Sequence, residues 1–176
     1  AATSDTATLA APSDAGISVR SFPKTNRLAV LVLTSVRGYL EPCGCQSKPL
    51  GGVDYLGALH ARLRESFASV ELVSAGDALF DGAPLTQLNA AQAKLKAETV
   101  FDSLSTLGVK SWVIGESDLA AGEPFLVERL KLTRPFLRDT TTRIGPATIR
   151  LFHGSIAEAR ALTKTGAGAN FVVAGH

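Results

Sequence analysis

Leu28-Ala-Val-Leu-Val-Leu33 runs straight into Thr34-Ser-Val-Arg-Gly-Tyr-Leu-Glu-Pro-Cys-Gly-Cys45, and this stretch decides the fold. Its first part is short, apolar and uninterrupted, the pattern of a strand buried on both faces. Its second part is a loop punctuated by Gly38, Pro42 and Gly44, and it contains both cysteines of the chain. A buried strand opening into such a loop is where α/β folds place their chemistry. The layout recurs in Glu71-Leu-Val-Ser-Ala-Gly-Asp77, and again in Ser111-Trp-Val-Ile-Gly-Glu-Ser-Asp118. Three strand ends therefore direct polar residues toward one prospective site.

Helical patterns fill the intervals. Leu56, Leu59, Leu63 and Phe67 recur at three- and four-residue spacing and predict a helix over 53–67. A second helix is expected over 85–107, stopped by Gly108, and a third over 119–130. Strands are expected over 70–74, 109–114, 133–137, 148–152 and 170–174. Ser155 and Glu158 form a capping-box pattern at the start of a helix expected over 155–165. Alternation of short buried strands with helices predicts an α/β domain of parallel βαβ units. Trp112 reads as core, His60 as a structural helix residue, and the Lys94/Lys96 pair as a solvated helix face.

Composition bounds the function classes. The 176 residues are 45% hydrophobic with a formal net charge of +2, as a single domain would be. No basic run with interleaved aromatics points to nucleic acid. No apolar run approaches the roughly 20 residues of a membrane span. Residues 1–18, rich in Ala, Thr, Ser and Asp without periodicity, read as a disordered leader or linker, leaving 19–176 as the domain. The Ala1 start and the lack of Met in the chain suggest a mature or trimmed product; this fits export to the periplasm or beyond the cell, and a cloning boundary would look the same. Ala174-Gly-His176 ends the chain at the tip of an apolar strand, which leads us to expect the remainder of a longer polypeptide, or a partner protein, beside it.

Cys43 and Cys45 could form a strained disulfide, bind a soft metal or remain thiols. A paired role, redox or structural, is favoured. A zinc site of the usual four ligands lacks a second cysteine pair, and no haem-attachment motif is present.

Taken together, the strand ends resemble the 5′-nucleotidase and UDP-sugar hydrolase branch of the calcineurin-like metallophosphoesterases. The resemblance rests on Arg37-Gly38-Tyr39-Leu40-Glu41-Pro42, Gly51-Gly52, Gly76-Asp77, Gly82-Ala83-Pro84, Gly115-Glu-Ser-Asp118 and Gly175-His176. It is strongest over 28–130. Leu40-Glu-Pro-Cys-Gly-Cys45 together with Gly115-Glu-Ser-Asp-Leu119 is similar to a divergent bacterial subgroup, some of whose members are exported and joined to multihaem cytochrome modules. The resemblance implies a layered α/β/β/α sandwich, abbreviated or truncated here.

It also implies a divalent metal (Mn, Zn or Ca) at positions that fall here on Asp77, His153 and His176. The first motif offers Ser35 and Arg37, and the third Glu116 and Ser117, where that family has metal ligands. A guanidinium cannot coordinate a metal. Arg37 is expected either to recognise an anion or to form an ion pair with Glu41, Glu116 or Asp118, as a fixed cation in the metal's place. Two functions follow from the resemblance. One is a catalytically degenerate domain kept for binding, assembly or a redox-associated role at Cys43/Cys45. The other is an active metal-dependent hydrolase of phosphoesters such as nucleotides, with Asp77 and His153 as its catalytic metal ligands.

Overall fold

The computed structural model describes residues 25–42, 51–132, 139–144, 147–155, 157–158, 160–161 and 171–175. Cys43, Cys45, His176, the 1–18 leader and the strand expected over 133–137 lie outside the described residues.

Two sheets form. In the first, β1 (Thr25–Leu33) pairs in parallel with β2 (Phe67–Ser74), and β2 in parallel with β3 (Val109–Trp112), in the order β1-β2-β3. The connections carry α1 (Val53–Ser66) and α2 (Ala90–Thr106), as the βαβ pattern requires. In the second, β4 (Asp139–Ile144) runs antiparallel to β5 (Ala147–His153), which is parallel to β6 (Phe171–Gly175).

The strands' two-residue period divides the core into two layers. Leu28 and Val30 join Val73, Val113, Ile144, Ile149 and Leu151 between the sheets. Leu33, an odd number of residues further along β1, faces the other way. It packs with Val53 of α1 and with Ala97, Val100 and Leu104 of α2. The first sheet is therefore covered by helices on one face and by the second sheet on the other. Burying each of these aliphatic side chains contributes roughly 1.5–3 kcal/mol. Trp112 packs on the helix-side core with its ring 5.0 Å from that of Phe101, as expected for a core residue.

Several boundaries differ from expectation. α2 starts at Ala90 instead of Leu85 because Asn89 builds a turn ahead of it. Its Oδ1 accepts from the Thr86 N–H at 2.7 Å, and its Nδ2 donates to the Pro84 carbonyl at 3.1 Å. The helix expected over 119–130 is instead a 3-10 turn, Ser117–Leu119, and a π-helical turn, Phe125–Arg129. Gly122, at φ 81°, and Pro124 separate the two. α1 ends at Ser66 and β2 begins at the next residue, without a loop. The capping box is present: Ser155 N–H donates to Glu158 Oε2 at 2.9 Å, and Glu158 N–H to Ser155 Oγ at 3.3 Å. Among the described residues no helix is long and apolar enough to cross a membrane.

Candidate functional site

The C-terminal tips of β1, β2 and β3 lie side by side, and the pairing of β1 with β2 continues into their loops. Ala75 N–H donates to Leu33 O at 2.8 Å, Ser35 N–H to Gly76 O at 3.2 Å, Arg37 N–H to Asp77 O at 2.9 Å, and Gly38 N–H to Ala78 O at 2.9 Å. On the other side Val113 N–H donates to Ser74 O at 2.9 Å. This ribbon holds three non-glycine residues in the left-handed region: Ser35 at φ 52°, Arg37 at 51° and Asp77 at 51°. Each costs about 1–3 kcal/mol and persists only because surrounding bonds enforce it.

Asp77 and Asp118 are both buried here. Asp77 Oδ1 accepts two hydrogen bonds from Ser117, at 3.0 Å from its N–H and 2.6 Å from its hydroxyl. Asp118, 1% exposed, accepts from Leu79 N–H on Oδ1 at 2.8 Å and from Gly115 N–H on Oδ2 at 2.9 Å. Burial raises the Asp118 carboxyl above its ordinary pKa; the N–H groups of Leu79 and Gly115 oppose the rise and the charge of Asp77 adds to it. The packing leaves no room at two glycines. A Cβ on Gly115 would collide with Asp77 Oδ1, and one on Gly76 with the His153 ring.

His153 ends β5 and reaches across from the second sheet. Its Nδ1 lies 3.2 Å from the Ala75 carbonyl, and its Nε2 is 3.8 Å from Asp77 Oδ2. Contact with a carbonyl places a proton on Nδ1 and turns Nε2 toward the carboxylate. The structure thus brings Asp77 and His153 together. In register, the strand neighbour of His153 is Gly175, the residue before His176. Among the described residues no group of three His, Cys, Asp or Glu side chains is placed to hold a metal ion.

Among the described residues Arg37 forms no ion pair with Glu41, Glu116 or Asp118. Asp118 is buried and accepts from the Leu79 and Gly115 N–H groups. Exposed Glu116 lies beyond the end of β3. Arg37 lines a cavity with Gly38, Leu79, Phe80, Asp81 and Lys96, and neither Asp77 nor His153 lines it.

The roles of two residues escaped the sequence reading. Ser117 reads in the sequence as a departure at a ligand position; its role as a donor comes from contact with a residue 40 positions earlier. Lys96 was grouped with Lys94 on a solvated face. It instead lies 5.8 Å over the Tyr39 ring and lines the Arg37 cavity, while Lys94 is exposed.

No protein-family model and no curated protein matches the sequence. Among solved structures the chain is similar to the NAD nucleotidase NadN of Haemophilus influenzae, with TM-score 0.53 and 17% identity over 84% of this chain and 33% of that one. It is also similar to a 5′-nucleotidase-like protein of Staphylococcus aureus, with TM-score 0.53 and 16% identity over 84% of this chain and 36% of that one. A third likeness is to the sulfate thiohydrolase SoxB of Thermus thermophilus, with TM-score 0.51 and 14% identity over 87% of this chain and 44% of that one. The chain spans about a third of the length of the first two and less than half of the third. Over the stretch that it spans, this chain shares the α/β fold of these three structures.

Proposed function

We propose that this chain is a divergent metallophosphoesterase-like domain of an exported protein, hydrolytically silent and kept for binding or assembly, with a redox-associated or structural role for Cys43 and Cys45. One observation carries the reading: Asp77 Oδ1 accepts both the N–H and the hydroxyl of Ser117. A carboxylate oxygen that holds a divalent ion turns its lone pairs to that ion; here a neighbouring residue takes them. Ser117 occupies a third-motif position to which the resemblance assigns a metal ligand, and it presents hydrogens instead of lone pairs. Ser35 and Arg37 likewise do not fit a dinuclear centre, because neither supplies the carboxylate or imidazole that such a centre uses. Export rests on the composition of residues 1–18.

A second reading, an active phosphoester hydrolase with a reduced metal site, is favoured by His153. A ring that gives its Nδ1 proton to a carbonyl and turns Nε2 toward a carboxylate has the outer support typical of a metal-bound histidine. Asp77 Oδ2 and His153 Nε2 fit one divalent ion, with His176 as the third candidate ligand. When bound, such an ion would supply charge stabilisation to a phosphoryl oxygen and activate water. Asp77 and His153 would do the holding.

The two readings separate in one experiment. Purified protein is incubated with Mn²⁺, desalted, analysed for bound metal, and assayed with p-nitrophenyl phosphate. The silent domain retains far less than one metal per chain and turns over no faster than Asp77→Ala. One retained metal per chain, with turnover that Asp77→Ala abolishes, would overturn the silent reading.

A further inference from the structure

The Arg37 cavity, of about 140 Å³, opens between the loop after β1 and the first turns of α2. Its polar lining is Arg37, Asp81, Asn89, Gln92 and Lys96. Asn89 is already engaged by Thr86 and Pro84, and Asp81 Oδ1 accepts from the Ala83 N–H at 2.9 Å. The two cations differ from these. Among the described residues neither Arg37 nor Lys96 is within ion-pair distance of a carboxylate. The Arg37 backbone is fixed at the rim, at φ 51° with its N–H on Asp77 O, and the Lys96 ammonium rests over the Tyr39 ring. Two positive charges thus line one concavity.

We infer that this cavity is a binding site for a phosphate group. The Arg37 fork supplies paired N–H donors and Lys96 a point charge, the combination that recognises tetrahedral oxyanions. Gln92 adds an amide donor. Asp81 offsets one of the two positive charges, so a net charge of about +1 faces the ligand and excludes cations. Leu79, Phe80 and Leu85 supply the apolar part of the wall. This site stands apart from Asp77 and His153, so phosphate binding and phosphoester turnover are judged separately.

The test is calorimetric titration of the whole chain with inorganic phosphate at low ionic strength, with acetate as the competing oxyanion. Phosphate binds more tightly than acetate. Arg37→Gln and Lys96→Gln each weaken it tenfold or more, whereas Lys94→Gln, which removes the same charge from the same helix outside the cavity, changes it less than twofold. Circular dichroism establishes that each variant is folded. Should Arg37→Gln fail to fold, the Lys96/Lys94 comparison decides alone. No binding at millimolar phosphate, or equal losses from Lys94→Gln and Lys96→Gln, overturns the inference.

Discussion

The tips of the first sheet and the β4–β5 hairpin of the second hold their carboxylates in opposite ways. At the tips Asp118 is fully buried and bound only by backbone N–H groups, beside three residues in left-handed conformations. On the hairpin Asp139 is partly exposed and meets the Arg150 guanidinium across an unbroken antiparallel register. Among the described residues of β4 and β5 none is left-handed. The tips accept a buried carboxylate, left-handed residues and glycines without room for a Cβ, among core residues such as Leu79, Phe80 and Ile114. Costs of that kind concentrate where geometry is held for a site. The comparison therefore sets a costly geometry at the tips against ordinary strand pairing between β4 and β5, with His153 at the end of β5 reaching from the second to the first.

The largest expected effect comes from Asp118. Asp118→Ala leaves the N–H groups of Leu79 and Gly115 without acceptors and destabilises the fold by about 3 kcal/mol in urea unfolding at neutral pH. The pH dependence follows from the raised folded pKa. Its stabilising contribution is complete below the ordinary value of 3.8 and declines as pH rises through the folded value. The loss caused by Asp118→Ala is therefore greater at acid pH than at neutral pH. A pH-independent loss would remove the buried-charge half of the comparison.

Next is Ser117→Ala. It removes a hydroxyl bond to a carboxylate and costs about 1.5–3 kcal/mol. It also frees one position on Asp77 Oδ1, so bound Mn²⁺ measured by elemental analysis is expected to rise. Unchanged metal content together with unchanged stability would mean that Ser117 does not hold Asp77.

The smallest effect is on the hairpin. Asp139→Ala costs at most about 1 kcal/mol, because the pair with Arg150 is partly solvated. The hydrogen bonds from Arg150 lower the Asp139 pKa below 3.8, so its contribution is present above 3.8 and lost as pH falls through the folded value. The two carboxylates thus respond to acid with opposite signs. Unfolding midpoints that move in the same direction for both variants would erase the distinction between the regions.

The sequence made the tips legible because their signals are local. An apolar run ending in Gly-Asp, or in Gly-Glu-Ser-Asp, marks a strand end without knowledge of its neighbours. The strand core of β1, most of α1 and the Ser155/Glu158 box were readable for the same reason. β4 was not: Asp139-Thr-Thr-Thr-Arg-Ile144 has no apolar run, and it becomes a strand by pairing with β5. The acceptor role of Asp118 depends partly on Leu79, 39 residues away, and the place of His153 on Ala75, 78 residues away. Such contacts belong to the folded chain and leave no trace in spacing. The separate tasks of Lys94 and Lys96 likewise depend on where the loop after β1 lies over α2.

Ser66 closes α1 and Phe67 opens β2 with nothing between them. The joint has no slack. Adding or deleting one residue there would turn every side chain of the central strand to the opposite face, moving Val73 out of the inter-sheet layer. The exposed stretch Asp81–Pro84 leads into a helix and not a strand, so a change of length there flips no sheet face. Homologues that keep this architecture should vary in length at the second place and never at the first, so a gap aligned to 66/67 would indicate a misalignment or a different fold.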